Sequence, residues 1–295
     1  MGESTEFRGR TAFVLSGGGS AGAVQVGMVR ALYEHGVVPD LLVGTSVGAL
    51  NAAFLASRAA TPDTALELRR VWESISFREV FPVSVMQGVR GLVGRSDHLV
   101  PGSGLRRLVS RWLAFDDLAD ARIPLHVIAT NVRSGEAMSL SEGPAVEAIM
   151  ASSAIPGLLP PVRWGTELLV DGGVTANNPV CLALEAGADR VFVLPTGFAC
   201  SLERSPSSAL AIALHALTIV LNQQLSADLA TVPTTAPIIV LPTLCPMRVV
   251  PIDFSQSAML AAQAYRTSSE FLDDIDLSSS APGVVGTVEH DHGDH

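Results

Sequence analysis

Apolar positions from Thr11 to Leu15 run into Ser16-Gly17-Gly18-Gly19, and from Ala23 to His35 they return at helical spacing until Gly36 ends them. That order predicts a buried strand, a glycine turn and a helix. The unit repeats at Leu41-Leu42-Val43, followed by Gly44-Thr45-Ser46-Val47-Gly48 and an alanine-rich helical stretch from Ala49 to Ser57. A third helix is predicted over 64–74, and further strands over 125–130, 168–170, 191–194 and 238–241. Strands that alternate with helices predict an α/β fold: a three-layer α/β/α sandwich around a mainly parallel central sheet.

The stretch 77–120 breaks this rhythm. It holds Phe77, Val80, Phe81, Val83, Val85 and Met86, then Gly88, Gly91 and Gly94, then a helical pattern. It reads as an insertion or cap within a domain spanning 11–276, whose motif-bearing core is 11–195. In its helix Leu105, Leu108, Val109 and Trp112 share one face, Ser103 is placed to cap the start, and Arg106, Arg107 and Arg111 lie opposite. A basic amphipathic helix can lie on a membrane surface, but a solvated face over a core-facing one is the commoner meaning. The apolar run 209–221 carries His215 and is shorter than the roughly 20 residues a bilayer requires, so a buried helix is expected. From Leu277 the chain turns to Ser-Ser-Ser-Ala-Pro-Gly and ends in Glu-His-Asp-His-Gly-Asp-His, a composition that predicts a disordered acidic, histidine-containing tail over 277–295.

With 295 residues and 48% hydrophobic content, the chain can bury a full core. All 19 basic residues are arginine, so Schiff-base chemistry, a P-loop Gly-Lys pair and a Ser-Lys dyad are excluded by inventory. The net charge is −10, yet Glu270, Asp273, Asp274, Asp276, Glu289, Asp291 and Asp294 all follow Arg266, the last basic residue. The body is therefore only mildly acidic. Without a basic excess to displace counterions, nucleic acid is not an expected partner, and nothing steers the whole molecule to an anionic membrane. Cys181, Cys200 and Cys245 are odd in number and lack metal-ligand spacing, which fits a reduced chain. The first residues hold no apolar signal core, and Glu6 stands where a myristoylation signal needs Ser or Thr. A cytoplasmic location follows as the expectation, with membrane contact at most peripheral.

Gly44-Thr45-Ser46-Val47-Gly48 is a GxSxG pattern between an apolar strand and an alanine-rich helix. In that context the flanking glycines let the chain turn sharply and hold the Ser46 hydroxyl outward as a nucleophile; a mere helix cap is the weaker reading. Gly17-Gly18-Gly19-Ser20-Ala21-Gly22 also satisfies a dinucleotide-binding pattern, but the second strand ends in Gly-Thr-Ser, and Asp40 lies at its wrong end. The loop's amides suit an oxyanion better. For a base, His215 would complete a Ser-Asp-His order, although a histidine in an apolar helical run is more often a core residue. Asp171-Gly172-Gly173 also follows an apolar strand, and a buried carboxylate can itself be the base. Taken alone, an Asp-Gly pair is more often just a turn.

In order, Ser16-Gly-Gly-Gly-Ser-Ala-Gly22, Gly44-Thr-Ser-Val-Gly48, Ala151-Ser-Ser-Ala-Ile-Pro-Gly157 and Asp171-Gly-Gly173 resemble the patatin-like phospholipase family over roughly 11–194. The resemblance implies Ser46 as nucleophile, Asp171 as base in a dyad without histidine, and the N–H groups of Gly17, Gly18 and Gly19, chiefly the last two, as oxyanion hole. Gly22, Gly44, Gly48, Gly172 and Gly173 would support these motifs. It implies lipid or acyl-ester substrates, phospholipid or lysophospholipid, with no cofactor and no metal. One departure stands out: Ala21 occupies a position where the family commonly has a basic residue. That motivates a rival expectation, a lipid-binding or regulatory protein with little turnover.

Overall fold

The computed structural model describes residues 7–82, 96–197, 209–232, 235–244 and 252–286. In chain order these form β1 (Thr11–Leu15), α1 (Ala23–Glu34), β2 (Leu41–Thr45), α2 (Val47–Ala56), α3 (Pro62–Ser74) and α4 (Phe77–Val80). Then come α5 (Ser103–Trp112), β3 (Leu125–Asn131), β4 (Ala137–Leu140), α6 (Ala145–Ser152), β5 (Val162–Trp164) and β6 (Glu167–Asp171). The rest is α7 (Val180–Glu185), β7 (Arg190–Leu194), α8 (Ala209–Thr231), β8 (Pro237–Val240), α9 (Ser257–Asp274) and β9 (Gly283–Val285).

The strands form one sheet in the order β5-β6-β3-β2-β1-β7-β8-β9, with β4 also paired to β3. From β3 to β9 along this order all neighbours are parallel, whereas β4, β5 and β6 join antiparallel. A strand in the middle of such a sheet is buried on both faces, which is why β1 reads as an unbroken apolar run. Its alternate residues serve two cores. Phe13 and Leu15 face a core shared with α1, α2, α3, α5, α6 and α9, while Ala12 and Val14 face one shared with α7 and α8. Helices on both faces complete three layers.

Several elements differ from expectation. The antiparallel β4 and β5 are three or four residues long and partly exposed, too short and too polar for an alternation to register. Helix α5 starts at Ser103 with Gly102 as its cap, and no side chain caps it. Helix α8 is 23 residues long and is not simply buried, since Ile212, Ile219 and Val220 are exposed. Within the stretch expected to be tail, Gly283–Val285 adds to the sheet beside β8, because an open parallel edge can pair even a short valine-containing segment. Cys181 is a free, exposed thiol; Cys200 and Cys245 lie outside the described residues, as do Val83, Val85, Met86, Gly88, Gly91, Gly94 and the terminal histidines. No helix among the described residues is long and apolar enough to cross a membrane.

Candidate active site

Strand β2 ends at Thr45 and the chain turns directly into α2, leaving Ser46 at φ 54°, ψ −122°. Among the described residues it is the one non-glycine residue with positive φ. Such a conformation costs about 1–3 kcal/mol and persists only where the surroundings enforce it. Here the surroundings do so by close approach. A Cβ on Gly44 would lie 2.6 Å from Ala49 Cα, and one on Gly48 would collide with the Leu15 carbonyl. The Ser46 N–H donates to Ser152 Oγ at 2.8 Å.

Asp171 arrives from the other direction. Strand β6 runs antiparallel to β3 and stops with Asp171 opposite Ala129, one residue beyond Ile128, which pairs with Thr45. The two side chains therefore converge across β3. Ser46 Oγ donates to Asp171 Oδ2 at 2.6 Å, and Gly173 N–H donates to Oδ1 at 2.8 Å. Gly172 is required to be small, because a Cβ there would collide with the Ile128 carbonyl. Burial pushes the Asp171 carboxyl up to about 6, against the opposing pull of the Ser46 and Gly173 hydrogen bonds. A carboxylate so tuned is a competent base near neutrality.

The glycine loop lies over the pair. Gly18 and Gly19 line the cleft with Ser46 and Asp171, and among the described residues neither of their N–H groups meets an acceptor. Gly17 behaves differently from expectation: its N–H donates to Asn177 Oδ1 at 3.1 Å, so its amide fixes the loop rather than facing an oxyanion. A side chain on Gly18 would collide with Thr196, whose hydroxyl donates to Gly17 O at 2.7 Å. Gly22 packs against Val47 and Trp72. Ala21 is 6% exposed and belongs to the apolar core, away from the cleft wall formed by the described residues.

Beyond the dyad the cleft is apolar. It encloses about 1350 Å³, counting its solvent-filled mouth. Leu105 and Leu108 of α5, Phe81, Ile155, Leu158 and Phe254 form much of its wall. The inner face of α5 thus builds the cleft. On its outer face Arg106 makes a two-point contact with Glu147, and Arg111 reaches Glu79 at 3.2 Å. Two of the three arginines expected to make a basic face are therefore already paired with carboxylates. His215 also lines the cleft, from α8. The direct Ser46–Asp171 hydrogen bond leaves no room for an imidazole between them.

Sequence reasoning missed Ser152, Asn177, Gln25 and Thr196, which hold the backbone of the site. The Asn177-Asn178 pair just after the Asp-Gly-Gly turn was the available signal, since two amides before an apolar helix have to find partners if buried.

A family model described as patatin-like phospholipase matches residues 13–184. The chain belongs to the patatin-like phospholipase family. Patatin-like phospholipase domain-containing protein 7 of Mus musculus is 29% identical over 188 residues, covering 63% of this chain and 13% of that protein. Lysophospholipase NTE1 of Lodderomyces elongisporus is 30% identical over 193 residues, covering 62% of this chain and 12% of its own length. The chain thus matches only about an eighth of these much longer patatin-like relatives. Among solved structures, VipD from Legionella pneumophila aligns over 88% of this chain and 67% of its own, at TM-score 0.43 and 14% identity.

Proposed function

We propose that this patatin-like domain, spanning 11–276 with Val80, Phe81, Leu105, Leu108 and Trp112 of the 77–120 insertion in its cleft wall, is a serine acyl hydrolase. It cleaves acyl esters of lipids, phospholipid or lysophospholipid, through Ser46 and Asp171. The observation that carries the reading is the 2.6 Å hydrogen bond from Ser46 Oγ to Asp171 Oδ2 at a strained strand-to-helix turn.

The chemistry follows from that contact. Ser46 Oγ forms a bond to the ester carbon while its proton passes to Asp171 Oδ2. The developing oxyanion is met by the N–H groups of Gly18 and Gly19, which need no reorganisation. As the intermediate collapses, the alcohol leaves with the proton from Asp171 and the acyl group stays on Ser46. Water then repeats the sequence with Asp171 again as base, releasing the fatty acid. The apolar cleft holds the acyl chain, and membrane contact, where substrate resides in a bilayer, is peripheral.

A rival reading, a lipid-binding protein with little turnover, draws on Ala21, which leaves no cation in the glycine loop. Covalent labelling separates the two. A fluorophosphonate is expected to label wild-type protein at Ser46, and a panel of acyl esters and phospholipids to be hydrolysed by wild type but not by Ser46→Ala. Absence of labelling with intact lipid binding would favour the rival, and activity in Ser46→Ala would remove Ser46 from the mechanism.

A further inference from the structure

Helix α8 leans on the dyad turn with one side and is open on the other. Its Leu221 Cδ2 lies 3.4 Å from where a Cβ on Gly173 would stand, and Gly173 N–H is the donor that holds Asp171 Oδ1. Asn177, which fixes the Gly17 amide, also donates to the Leu221 carbonyl at 3.5 Å. Farther along the helix, Leu225 and Leu229 are buried against the sheet. On the opposite side Ile212, Ala213, Ala216, Ile219 and Val220 recur at helical spacing along one stripe. All five are exposed, Ile212 by 56% and Val220 by 55%. His215 and Leu217 stand on the two shoulders of this stripe and line the cleft. Val174, beside Gly173, is both a cleft residue and exposed, which places it at the mouth. The stripe therefore flanks the opening through which a substrate reaches the dyad.

We propose that this outer face of α8 is the surface by which the protein lies on a lipid layer, held by burial of hydrocarbon rather than by charge. The inference rests on the reading of the cleft as a lipid-ester site. Residues 209–227 contain no acidic side chain and, apart from His215, no basic one. The stripe can thus sink beneath lipid headgroups without stripping water from an ion. A second copy of the chain fits the face less well. The exposed apolar surface of these residues is on the order of 300 Å², well short of the roughly 800 Å² that each partner of a stable protein pair buries. A lipid layer sets no such minimum, because it moulds itself to the stripe. An acyl chain drawn from the layer beside α8 passes Leu217 and Val174 into the cleft without crossing water. Helix α5 is the poorer candidate, since its apolar side faces the cleft and Arg106 and Arg111 are engaged by Glu147 and Glu79.

Co-sedimentation with phosphatidylcholine vesicles tests the face, using full-length Ser46→Ala protein so that the lipid stays intact. That protein is expected to bind equally at low and high salt, since no ion pair holds it. Adding Ile219→Asp, or Ile212→Asp, should weaken binding about tenfold, whereas Arg107→Glu on α5 leaves it unchanged. Adding Ile219→Trp should strengthen binding and give a blue-shifted tryptophan emission on contact with vesicles, a readout that stands even where an Asp variant folds poorly. In the Ser46-containing protein, Ile219→Asp should hydrolyse a soluble short-chain ester within about twofold of the parent rate, because it leaves the cleft wall intact. Absence of vesicle binding, equal binding with Ile219→Asp, or binding that requires anionic lipid overturns the proposal while leaving the dyad standing. Light scattering that finds a dimer split by Ile219→Asp overturns it in favour of a second copy. Binding that depends on Ile212 and Ile219 in a protein whose Ser46 form cleaves no ester upholds the docking face and sinks the hydrolase reading instead.

Discussion

Below the Ser46 elbow, Gln25 Nε2 donates to the carbonyls of both Ser16 and Leu194, Asn51 Nδ2 to Gly22 O and Gln25 Oε1, and Trp72 Nε1 to Asn51 Oδ1. Above it, Leu105, Leu108, Leu158 and Phe254 present hydrocarbon to the cleft. The floor is a paired polar network within the fold, and the wall offers little besides dispersion and burial. A network of satisfied hydrogen bonds fixes positions to fractions of an ångström, whereas an apolar wall tolerates ligands of different shape. On the proposed hydrolase reading, the floor would set the geometry of the reacting atoms and the wall the choice of acyl chain.

Breaking the Ser46–Asp171 pair, which lies between floor and wall, has the largest expected consequence. Asp171→Asn cannot accept the Ser46 proton and should lower kcat by about 10⁴-fold. The same change should strengthen the fold. Asp171 titrates near 6 in the folded protein against an ordinary 3.8, so ionisation disfavours folding. The native stability present below pH 4 is progressively lost as pH rises toward 6, by up to about 3 kcal/mol. Thermal melts at pH 8 should then show Asp171→Asn above wild type, with the gap closing near pH 4. An equal gap at both pH values would separate the raised pKa from stability.

A smaller effect is expected one step away. Asn177→Ala releases the Gly17 amide and loosens the loop that carries Gly18 and Gly19. It should reduce kcat by about ten- to a hundredfold with little change in KM, since the loop acts on the transition state. Steady-state kinetics on a short-chain ester read this directly; a rise in KM alone would place Asn177 in substrate binding. Smallest is a change in the wall. Leu108→Ala should cut kcat/KM for a long-chain ester about five- to tenfold relative to a four-carbon ester, through lost contact with the chain. Equal loss on both esters would mean that α5 supports the site rather than the substrate.

How much of this was legible in the sequence depended on whether the cause was local. The elbow around Ser46 and the Asp171 turn are encoded by adjacent glycines and a preceding apolar strand, so both could be located, and β1 falls where its apolar run predicts. Ser152 and Asn177 act on residues 106 and 160 positions away, and polar pairs such as Asn177-Asn178 show that partners are needed without showing which ones. The same limit hid Gly17: three consecutive glycines look equivalent as donors until Asn177 is seen to engage the first. Ala21 was legible as a departure from the family's basic residue, but its burial in the core, which ties it to packing of the loop, was not. For β9 the missing information was the open edge of β8, which no local pattern contains.

The central claim is that Asp171, without a histidine, takes the proton from Ser46. The pH dependence of kcat/KM for the His215→Ala protein tests it most directly, because His215 is the histidine that the described residues bring to the cleft. If Asp171 is the base, activity rises with pH through a single ionisation near 6 and levels off above it, with the same midpoint and nearly the same plateau as wild type. Loss of activity in a His215→Ala protein that melts normally, or disappearance of the rise near pH 6, would contradict the dyad and assign the base to His215.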